Sequence, residues 1–591
     1  MRLRKHEIKN LLTACLVSCS FSMAMADNTP FFTTGIARNE KGDLLMTQKG
    51  TRKLDVFSAD GMRLARSIAF DEVPTGLLND GDKVYVTTFE KTGRLHIVSL
   101  ESGKIIASIP AGSGACHPMF GKDKRYIYVC NQFDNSVMEI DLEQQKVVRE
   151  AKVLREPRSA VFSKDGKYMF VTNFLPLQRA DLDVVAACVS VIDMANFTKV
   201  KDIQLANGSN AVRGICITPD GKYVYVSHNL GRFTVPTSQL QQGWMNTSAF
   251  SVIDVERQEF KGAVVVDDPD RGAAGIWGIQ CDEDHIYVTH SGSHEVSVID
   301  HPAMREKFEG YKDKSRLDYD LNFLYGLRER VALEGNGPRN FTFEGDKLII
   351  PTYFADILNE VDVNTLEVKA TNLNPDREET LAHKGEKYFN DANHCYQNWQ
   401  SCNGCHPGDA RTDGMNWDLM NDGVGNSKNC KSMLFAHVTP PSMISGVRET
   451  AEWAVRAGFK FIQFHQPDEE MAKCVDAYLK SLTPVPSPYL VNGELSETAK
   501  QGRKVFEKLK CGECHSGPHF TDMKMHRIGD DIEFEKGWDT PTLREVWRTA
   551  PYLFDGRAMS LHEVFEVHKH GIDKKVSKKD LDALVEYVNS L

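Results

Sequence analysis

The run Tyr126-Ile127-Tyr128-Val129-Cys130 is the clearest copy of a pattern that recurs seven times between Phe31 and about residue 370. In each copy, a run of β-branched and aromatic residues follows a turn rich in Gly, Asp or Lys. This combination indicates a β-strand bounded by turns. The other copies are Leu44–Thr47, Lys83–Thr87, Tyr168–Thr172, Tyr223–Ser227, Ile286–Thr289 and Leu348–Ile350.

A second strand, usually ending in Asp, follows most copies; examples are Val137–Asp141, Val189–Asp193, Phe250–Asp254 and Val296–Asp300. Four short strands in each repeat of about 40 to 60 residues are typical of a propeller blade. Residues 27–372 therefore predict an all-β, seven-bladed β-propeller. Phe170-Val171-Thr172-Asn173 resembles the signature of the YVTN family of propellers, which implies the fold and says little about function. The segment His301–Asn336 is too long for a turn within a blade, and we expect it to be partly helical.

Polar residues recur where first strands begin and second strands end, and in a propeller both positions lie on the same face. They are His117, Asn131, Arg158, Asn173, Arg213, His228, Trp277, His290 and Arg339. One interpretation is that they satisfy buried backbone carbonyls around the axis. The other is a cationic mouth that binds a ligand or the following domain.

Two copies of C-x-x-C-H follow the repeats, at Cys402-Asn403-Gly404-Cys405-His406 and at Cys511-Gly512-Glu513-Cys514-His515. This motif attaches c-type haem, because its two thiols add to the porphyrin vinyl groups and the adjacent histidine binds the iron. Zinc would require a further Cys or His pair at tight spacing, and neither motif has one. The expected cofactors are two covalently bound c-type haems, with a structural calcium ion as an additional candidate. Cys402, Cys405, Cys511 and Cys514 are the expected attachment residues, and His406 and His515 the iron ligands.

The region after residue 372 reads as two similar halves, divided by the proline-rich run Thr483–Pro488. The halves align at their C-x-x-C-H motifs and at their closing helices, Ala477–Leu482 and Glu586–Leu591. We therefore expect a multidomain chain: the propeller, then an all-α dihaem cytochrome c domain. Its modules span residues 373–487 and 488–591.

The second module resembles the bacterial dihaem cytochrome c peroxidase family, which includes the MauG-type enzymes. The resemblance rests on Cys511–Asp522, Asp539–Arg544 and Ala550–Arg557, and covers residues 380–591 more weakly in its first half. It implies that the C-terminal haem transfers electrons and has a second axial ligand after Leu561. That position corresponds to His568, with His570 as the runner-up. The alternative is that both are solvated helix histidines.

In the first module the corresponding position is Gly458, which cannot bind iron. Since the family's N-terminal haem is the one that reacts with peroxide, a missing ligand fits an open iron. Acid–base assistance would come from His437, Glu469 or Glu470, although each is also a plausible packing or surface residue. His437, His465 or Met443 are candidate caps of the resting iron. Trp417, Trp453 and Trp547 are candidates for electron transfer, or simply core residues.

The chain begins with a basic segment, the apolar run Leu11–Phe21 and the small-residue site Ala24-Met25-Ala26. These features predict a signal peptide over residues 1–26 and a periplasmic protein. Leu16–Cys19 also resembles a lipoprotein box, so a lipid anchor on Cys19 is the alternative. No further segment predicts a transmembrane span. The net charge of −11 argues against nucleic acid as a partner.

The leading hypothesis is a dihaem oxidoreductase of peroxidase type. It would reduce hydrogen peroxide, or use it to oxidise a protein or small-molecule substrate. Its electron donor would be a small redox protein, a cytochrome c or a cupredoxin. The alternatives are a non-peroxidatic electron carrier and a dehydrogenase with its substrate or partner site on the propeller.

Overall fold

The computed structural model describes residues 28–60, 62–234, 245–418, 427–530, 534–572 and 575–591. The expected signal peptide and lipoprotein box lie outside the described residues. Among the described residues, no helix is long and apolar enough to cross a membrane.

Seven antiparallel sheets follow one another along the first part of the chain, so the seven-bladed β-propeller is confirmed. Blades 1 to 3 consist of β1 Thr33–Arg38, β2 Leu44–Gln48, β3 Lys53–Phe57, β4 Leu64–Ala69; β5 Val73–Asp80, β6 Lys83–Phe89, β7 Gly93–Ser99, β8 Lys104–Pro110; and β9 Ala115–Phe120, β10 Tyr126–Asn131, β11 Ser136–Asp141, β12 Lys146–Lys152.

Blades 4 to 7 consist of β13 Pro157–Phe162, β14 Tyr168–Asn173, β15 Cys188–Asp193, β16 Thr198–Gln204; β17 Ser209–Asn210, β18 Ile215–Ile217, β19 Tyr223–Gly231, β20 Asn246–Asp254, β21 Glu259–Val265; β22 Ile276–Cys281, β23 His285–His290, β24 Glu295–Asp300, β25 Arg328–Ala332; and β26 Thr342–Glu344, β27 Lys347–Pro351, β28 Ile357–Asp362, β29 Val368–Asn372. In blade 5, β17 and β18 both pair with β19.

Burial explains why the second strands give the clearest sequence signal. All five residues of β2 are buried, whereas β4, at the rim of the same blade, has five exposed residues out of six. A strand packed on both faces needs continuous apolar residues, and a rim strand does not. The fourth strands are therefore faint in the sequence.

The ring closes between blades 7 and 1. The backbone N–H of Phe31 donates to Asp356 Oδ1 at 3.0 Å. Leu44 and Met46 of β2 pack in one cluster with Ile349 and Leu358 of blade 7. Apolar burial and hydrogen bonding thus join residues more than 300 positions apart.

The segment His301–Asn336 is partly helical, as expected. It contains α1 His301–Gly310 and a 3-10 turn at Lys314–Tyr319. The Asp300 side chain caps α1 by accepting from the Ala303 N–H. Met304, Phe308 and Leu317 bury the segment against blades 5 and 6. The same segment also supplies β25, which the sequence had not indicated.

The second part contains helices and three short ribbons, so the expectation of an all-α domain is too simple. The helices are α2 Leu381–Asn390, α4 Ala451–Phe461, α5 Glu469–Ser481, α6 Glu497–Lys508, α7 Leu561–Glu566 and α8 Lys578–Asn589, and α3 Pro407–Ala410 is a single turn with left-handed backbone at Gly408 and Asp409. The ribbons pair β30 Asn416–Trp417 with β31 Lys428–Asn429, β32 Leu490–Val491 with β33 Glu494–Leu495, and β34 Met525–His526 with β35 Trp538–Asp539.

The two halves repeat one helix crossing. Helix α2 packs on α5 at Gly385, where a Cβ atom would lie 1.8 Å from the Cys474 carbonyl oxygen. Helix α6 packs on α8 at Gly502, where a Cβ atom would lie 1.8 Å from the Ala583 carbonyl oxygen. Each glycine lets two helices approach closely beside a C-x-x-C-H turn. We call residues 373–487 the Cys402 module and residues 488–591 the Cys511 module.

Candidate functional site

Each C-x-x-C-H motif forms a 3-10 turn, Cys402–Gly404 in one module and Cys511–Glu513 in the other. His406 Nδ1 donates to the Arg411 carbonyl oxygen at 3.0 Å, and His515 Nδ1 donates to the Phe520 carbonyl oxygen at 3.1 Å. These bonds fix both rings and leave each Nε2 available to bind a metal. Burial lowers the pKa of both histidines, so both rings are held neutral.

The cysteines of both motifs are free thiols. Cys402 Sγ accepts from Gln463 Nε2 at 3.0 Å, and Cys405 Sγ lies 3.3 Å from Asn246 Nδ2 of the propeller. Burial raises the pKa of Cys402 to about 12, which holds that sulfur in its neutral form. Each motif therefore presents two partly buried thiols beside one neutral imidazole.

A cavity opens beside His406. Its volume is about 250 Å³, and it is partly open to solvent. Its wall is mostly apolar and includes Val455, Phe461 and Leu479. Gly458 of α4 lies in this wall and a Cβ atom there would have no neighbour within 4 Å. Gly458 is the position at which the alignment of the two modules predicts no iron ligand, and it therefore faces open space.

His437 is the titratable group best placed in this wall. Its side chain is 2% exposed, and Nε2 donates to Asp476 Oδ1 at 2.9 Å. Its buried Nδ1 has no hydrogen-bond partner among the described residues. Asp476 is held in turn by Arg456 at 2.7 Å, and Arg456 pairs with Glu469 at 2.6 Å.

Glu469 and Glu470 lie away from the cavity wall. The Glu469 side chain is 58% exposed and pairs with Arg456. The Glu470 side chain is 81% exposed and pairs with Lys473. Both begin α5 and point to solvent, because the Asp468 cap and the buried stripe of α5 set the rotation of the helix. Neither carboxylate is in position to contact a molecule held in the cavity.

The Cys511 module differs, because a second histidine stands opposite the first. The ring centres of His515 and His570 are 6.2 Å apart. A metal–imidazole bond is about 2 Å long, and a ring nitrogen lies about 1 Å from its ring centre. Two histidines that bind one metal from opposite sides therefore have ring centres about 6 Å apart. Burial lowers the pKa of His570 to about 4, and its buried Nδ1 has no partner among the described residues.

His568, the residue that the sequence favoured, faces another way. Its Nδ1 lies 2.9 Å from Asp530 Oδ2 and 3.2 Å from Arg557 Nε. Both partners contact Nδ1, and the His568 side chain is 11% exposed. The structure thus brings His570, not His568, beside His515.

The tryptophans predicted to relay electrons do not form a chain between the modules. Trp453 is 62% exposed, Trp417 donates to Asp413 at 2.8 Å, and Trp547 packs against Phe133 of the propeller. The modules meet instead at Phe435 and His519, whose ring centres are 4.6 Å apart. Neither residue had been singled out, since nothing in its local sequence marks a contact between modules.

Cys430 is a further residue that sequence reasoning missed. Its Sγ lies 3.1 Å from the Cys405 carbonyl oxygen and 3.6 Å from His406 Nδ1. It follows β31, and only the ribbon of β30 and β31 carries it to the histidine.

The second part covers the mouth of the propeller. Arg548 of the Cys511 module pairs with Glu156 before β13 at 2.7 Å, with both side chains 4% exposed. Asn246 of β20 donates to Gln400 at 2.9 Å, and His294 pairs with Asp391 at 3.0 Å. The expected packing of the Cys402 and Cys511 modules on this face therefore agrees with the structure.

The chain thus joins a seven-bladed propeller to two modules, and each module presents two thiols and one histidine. A family model described as "Cytochrome D1 heme domain" matches residues 79–186, from the second blade to the middle of the fourth. This match supports a propeller and haem as the cofactor.

Among curated proteins, the gamma subunit of hydrazine synthase from Kuenenia stuttgartiensis is 26% identical over 274 residues, which cover 36% of this chain and 77% of that protein. The methylamine utilization protein MauG from Methylophilus methylotrophus is 31% identical over 105 residues, which cover 15% of this chain and 31% of MauG. The solved structure of Kuenenia stuttgartiensis hydrazine synthase has a TM-score of 0.50 at 20% identity, covering 58% of this chain and 96% of that one. That likeness concerns the fold.

Proposed function

We propose that this chain is a haem-linked oxidoreductase of peroxidase type with two c-type haems. One would be held by Cys402, Cys405 and His406, and the other by Cys511, Cys514 and His515. The donor chemistry fits, because each site offers two thiols for covalent attachment and one buried imidazole with a free Nε2. A bound haem would supply a redox-active iron at each site. Similarity to MauG over part of the chain supports the same class.

The inequality of the two sites is the observation that carries the proposal. The Cys511 module places His570 opposite His515, with 6.2 Å between ring centres. The Cys402 module has a cavity beside His406, and its wall contains Gly458 at the corresponding place. An occupied coordination position suits electron transfer, and an open one suits binding and reaction of a small molecule.

Peroxide reduction consumes two electrons and two protons and releases two water molecules. The chain's part is to bind peroxide in a largely apolar cavity and to deliver the protons. His437 can hold a proton at Nδ1 on the cavity side, while Asp476 orients the ring from the other side. The pair Arg456–Glu469 connects Asp476 to the surface, so Glu469 acts here as a positioning residue rather than the acid itself. Glu470 has no role in this scheme.

Electrons would come from a small redox protein, a cytochrome c or a cupredoxin, or from a protein substrate. They would enter at the Cys511 module and pass across the contact between Phe435 and His519. We retain a periplasmic location for this chemistry. A structural calcium ion has no support from the described residues. Their group of three possible metal ligands, Cys514, Asp522 and His526, includes a thiol that we assign to haem attachment.

Two measurements on the exported full-length protein test the proposal. Its intact mass is expected to exceed that of the polypeptide by two haems. Steady-state consumption of hydrogen peroxide with a reduced small cytochrome is expected to be saturable in both reactants. A mass increase of one haem, or a dihaem protein without peroxide turnover, would contradict it.

A second candidate function is that of a redox subunit in a larger assembly without peroxidase activity. The chain resembles both the gamma and the beta subunit of hydrazine synthase from Kuenenia stuttgartiensis, the latter at 26% identity over 149 residues. Under this alternative, native mass spectrometry of the protein from its own cells is expected to show additional subunits, and the isolated chain is expected to leave peroxide unchanged. A dehydrogenase with its substrate on the propeller remains a further form of this alternative.

A further inference from the structure

Four cationic side chains of the propeller converge beneath the Cys402 module: Lys49, Arg158, Arg213 and Arg339. Arg213 and Arg339 flank one indole, with guanidinium carbons 4.4 Å and 4.0 Å from the centre of the Trp277 ring. Arg158 and Arg213 share Phe174 in the same way, at 4.1 Å and 5.5 Å. Aromatic faces thus hold the cations of three blades together.

Acidic partners are scarce for this group. Arg158 pairs with Glu156 at 2.8 Å, but Glu156 also neutralises Arg548. Arg213 donates only to the backbone carbonyls of Ala211 and Ile276. Among the described residues, neither the Arg339 guanidinium nor the Lys49 ammonium has a hydrogen-bond acceptor or an ion-pair partner within 4.0 Å. The buried Nε atoms of Arg158 and Arg339 also have no partner there.

The electrostatics differ within the group: the charge of Arg213 is uncompensated, whereas Tyr353 and Asp409 outweigh burial and raise the pKa of Lys49 well above its usual value. Burial, followed by repulsion from Arg339 and Arg158, lowers the pKa of Arg213 to about 9. An arginine loses a proton this readily only where removing it from water and crowding it with other cations both oppose its charge. The whole chain carries a net charge of −11, so positive charge is concentrated here against the average.

The Cys402 module presents two carboxylates to the group, those of Asp409 and Glu386. Gly408, Asp409 and Ala410 have φ angles of 67°, 63° and 61°, a left-handed turn that costs about 1–2 kcal/mol for each residue other than glycine. This turn brings Gly408 against Phe174 and Arg158. Lys49 lowers the pKa of Asp409, although the Lys49 ammonium and the Asp409 carboxylate lie more than 4.0 Å apart and form no ion pair.

We propose that this cluster, formed by Lys49, Arg158, Arg213, Arg339 and Asp409 near the propeller axis, binds a small oxyanion. Planar guanidinium groups match the paired oxygens of a carboxylate, nitrate or sulfate, and Lys49 adds a point charge. The bound anion would satisfy the free donors and offset the crowded cations, which is otherwise a costly arrangement inside a protein. The site lies on the propeller axis, apart from the cavity beside His406, and does not depend on the proposed peroxidase reaction.

Isothermal titration calorimetry of the full-length holoprotein with sodium formate, nitrate and sulfate, each against a chloride background, tests the proposal. We expect one site per chain with a preference for at least one of these oxyanions over chloride. Arg339→Gln and Lys49→Met are each expected to weaken binding at least tenfold. Arg63→Gln is the matched control, because Arg63 is 79% exposed and remote from the axis, and its affinity is expected to equal that of the wild type.

Asp409→Asn keeps the proposal testable if the cation variants fail to fold. It removes a negative charge beside the anion, so the structure requires tighter binding, whereas a purely structural role for Asp409 gives weaker or unchanged binding. No saturable heat with any of the three anions, a loss of affinity in Arg63→Gln equal to that in Arg339→Gln, or no gain in Asp409→Asn would each overturn the inference.

Discussion

Two histidines of the Cys511 module, two positions apart, meet different surroundings. His568 lies against Asp530 and Arg557, while the ring centre of His570 lies 6.2 Å from that of His515. In the stretch after α7 the chain turns, and Lys569 adopts a φ of 53° between them. A left-handed residue turns the chain and so changes which of its neighbours points into the module. Counting residue positions after Leu561 cannot reveal such a turn.

Replacement of each histidine separately tests the assignment. His570→Ala is expected to abolish the low-spin bis-histidine signal in the electron paramagnetic resonance spectrum of the oxidised protein, because it removes the ring opposite His515. His568→Ala is the matched control and is expected to leave that signal in place. The reverse pattern would restore His568 as the ligand.

His437 is the residue whose loss we expect to affect turnover most. His437→Gln retains a polar side chain but cannot transfer a proton, so peroxide turnover is expected to fall by about 10²- to 10⁴-fold with unchanged haem content. Glu470→Gln, at a fully solvated position, is expected to retain wild-type turnover. Steady-state kinetics on both variants provide the measurement, and equal rates in His437→Gln and the wild type would remove His437 from the scheme.

At the scale of elements, the close crossings of α2 on α5 and of α6 on α8 fix the two modules. Gly502→Ala would place a Cβ atom 1.8 Å from the Ala583 carbonyl oxygen, so the backbones of α6 and α8 would have to move apart. We expect a loss of about 1–3 kcal/mol in the free energy of unfolding, or more, as for other overpacked contacts. Chemical denaturation followed by haem absorbance measures it.

Gly458→Ala is the matched control for this crossing, since a Cβ atom there meets nothing within 4 Å. Because alanine favours a helix interior over glycine by about 1 kcal/mol, the control is expected to be neutral or slightly stabilising. Equal destabilisation by the two substitutions would show that the crossing does not depend on close approach.

The blades also contain a pH-sensitive element. His228 in β19 is fully buried, contacts Ser251 at 2.7 Å, and burial lowers its pKa to about 4. Below about pH 6.5 the unfolded chain binds a proton at this residue and the folded chain does not, so stability falls as the pH decreases toward 4. Between pH 7 and pH 4.5 the loss from His228 is expected to be about 2 kcal/mol.

His228→Gln is expected to reduce the pH dependence of the denaturation midpoint by this contribution. His562→Gln, an exposed histidine of α7, serves as the control and is expected to leave the dependence as it is in the wild type. Parallel pH profiles for His228→Gln and the wild type would contradict the assignment.

At the scale of the whole molecule, a buried ionic network joins the propeller to the modules. Burial alone would raise the pKa of Glu156, but Arg548 and Arg158 lower it to about 2. Arg548 also bonds to Glu545 at 3.3 Å, and Glu545 pairs with Arg411 of the Cys402 module at 2.9 Å. One chain of ion pairs therefore connects all three parts of the protein.

Glu156→Gln is expected to destabilise the docked arrangement by about 3–5 kcal/mol, because it leaves buried arginines without their counter-charge. Thermal unfolding is expected to separate into two transitions, and limited proteolysis to cut faster between β29 and α2. Glu90→Gln is the control, because Glu90 forms an exposed pair with Arg52 whose loss costs about 0–1 kcal/mol. A single unshifted transition in Glu156→Gln would show that docking does not depend on this network.

The sequence by itself determined the propeller, its seven blades and the two C-x-x-C-H turns. Each of these follows from short runs of residues, since strands follow from turn chemistry and apolar runs, and each C-x-x-C-H turn from five consecutive positions. The cationic mouth was also predictable once strand order was known, because the blade repeat fixes which strand ends share a face.

The tertiary structure alone decided which residues meet across these local units. Arg548 and Glu156 are 392 positions apart, and no local pattern marks them as partners. The rotation of α5 turns Glu469 and Glu470 to solvent, the turn at Lys569 brings His570 opposite His515, and the left-handed turn at Asp409 aims a carboxylate at the propeller axis. Each outcome depends on how whole elements are rotated and packed. That orientation is set by burial and charge pairing over the entire chain, and short-range sequence patterns do not contain it.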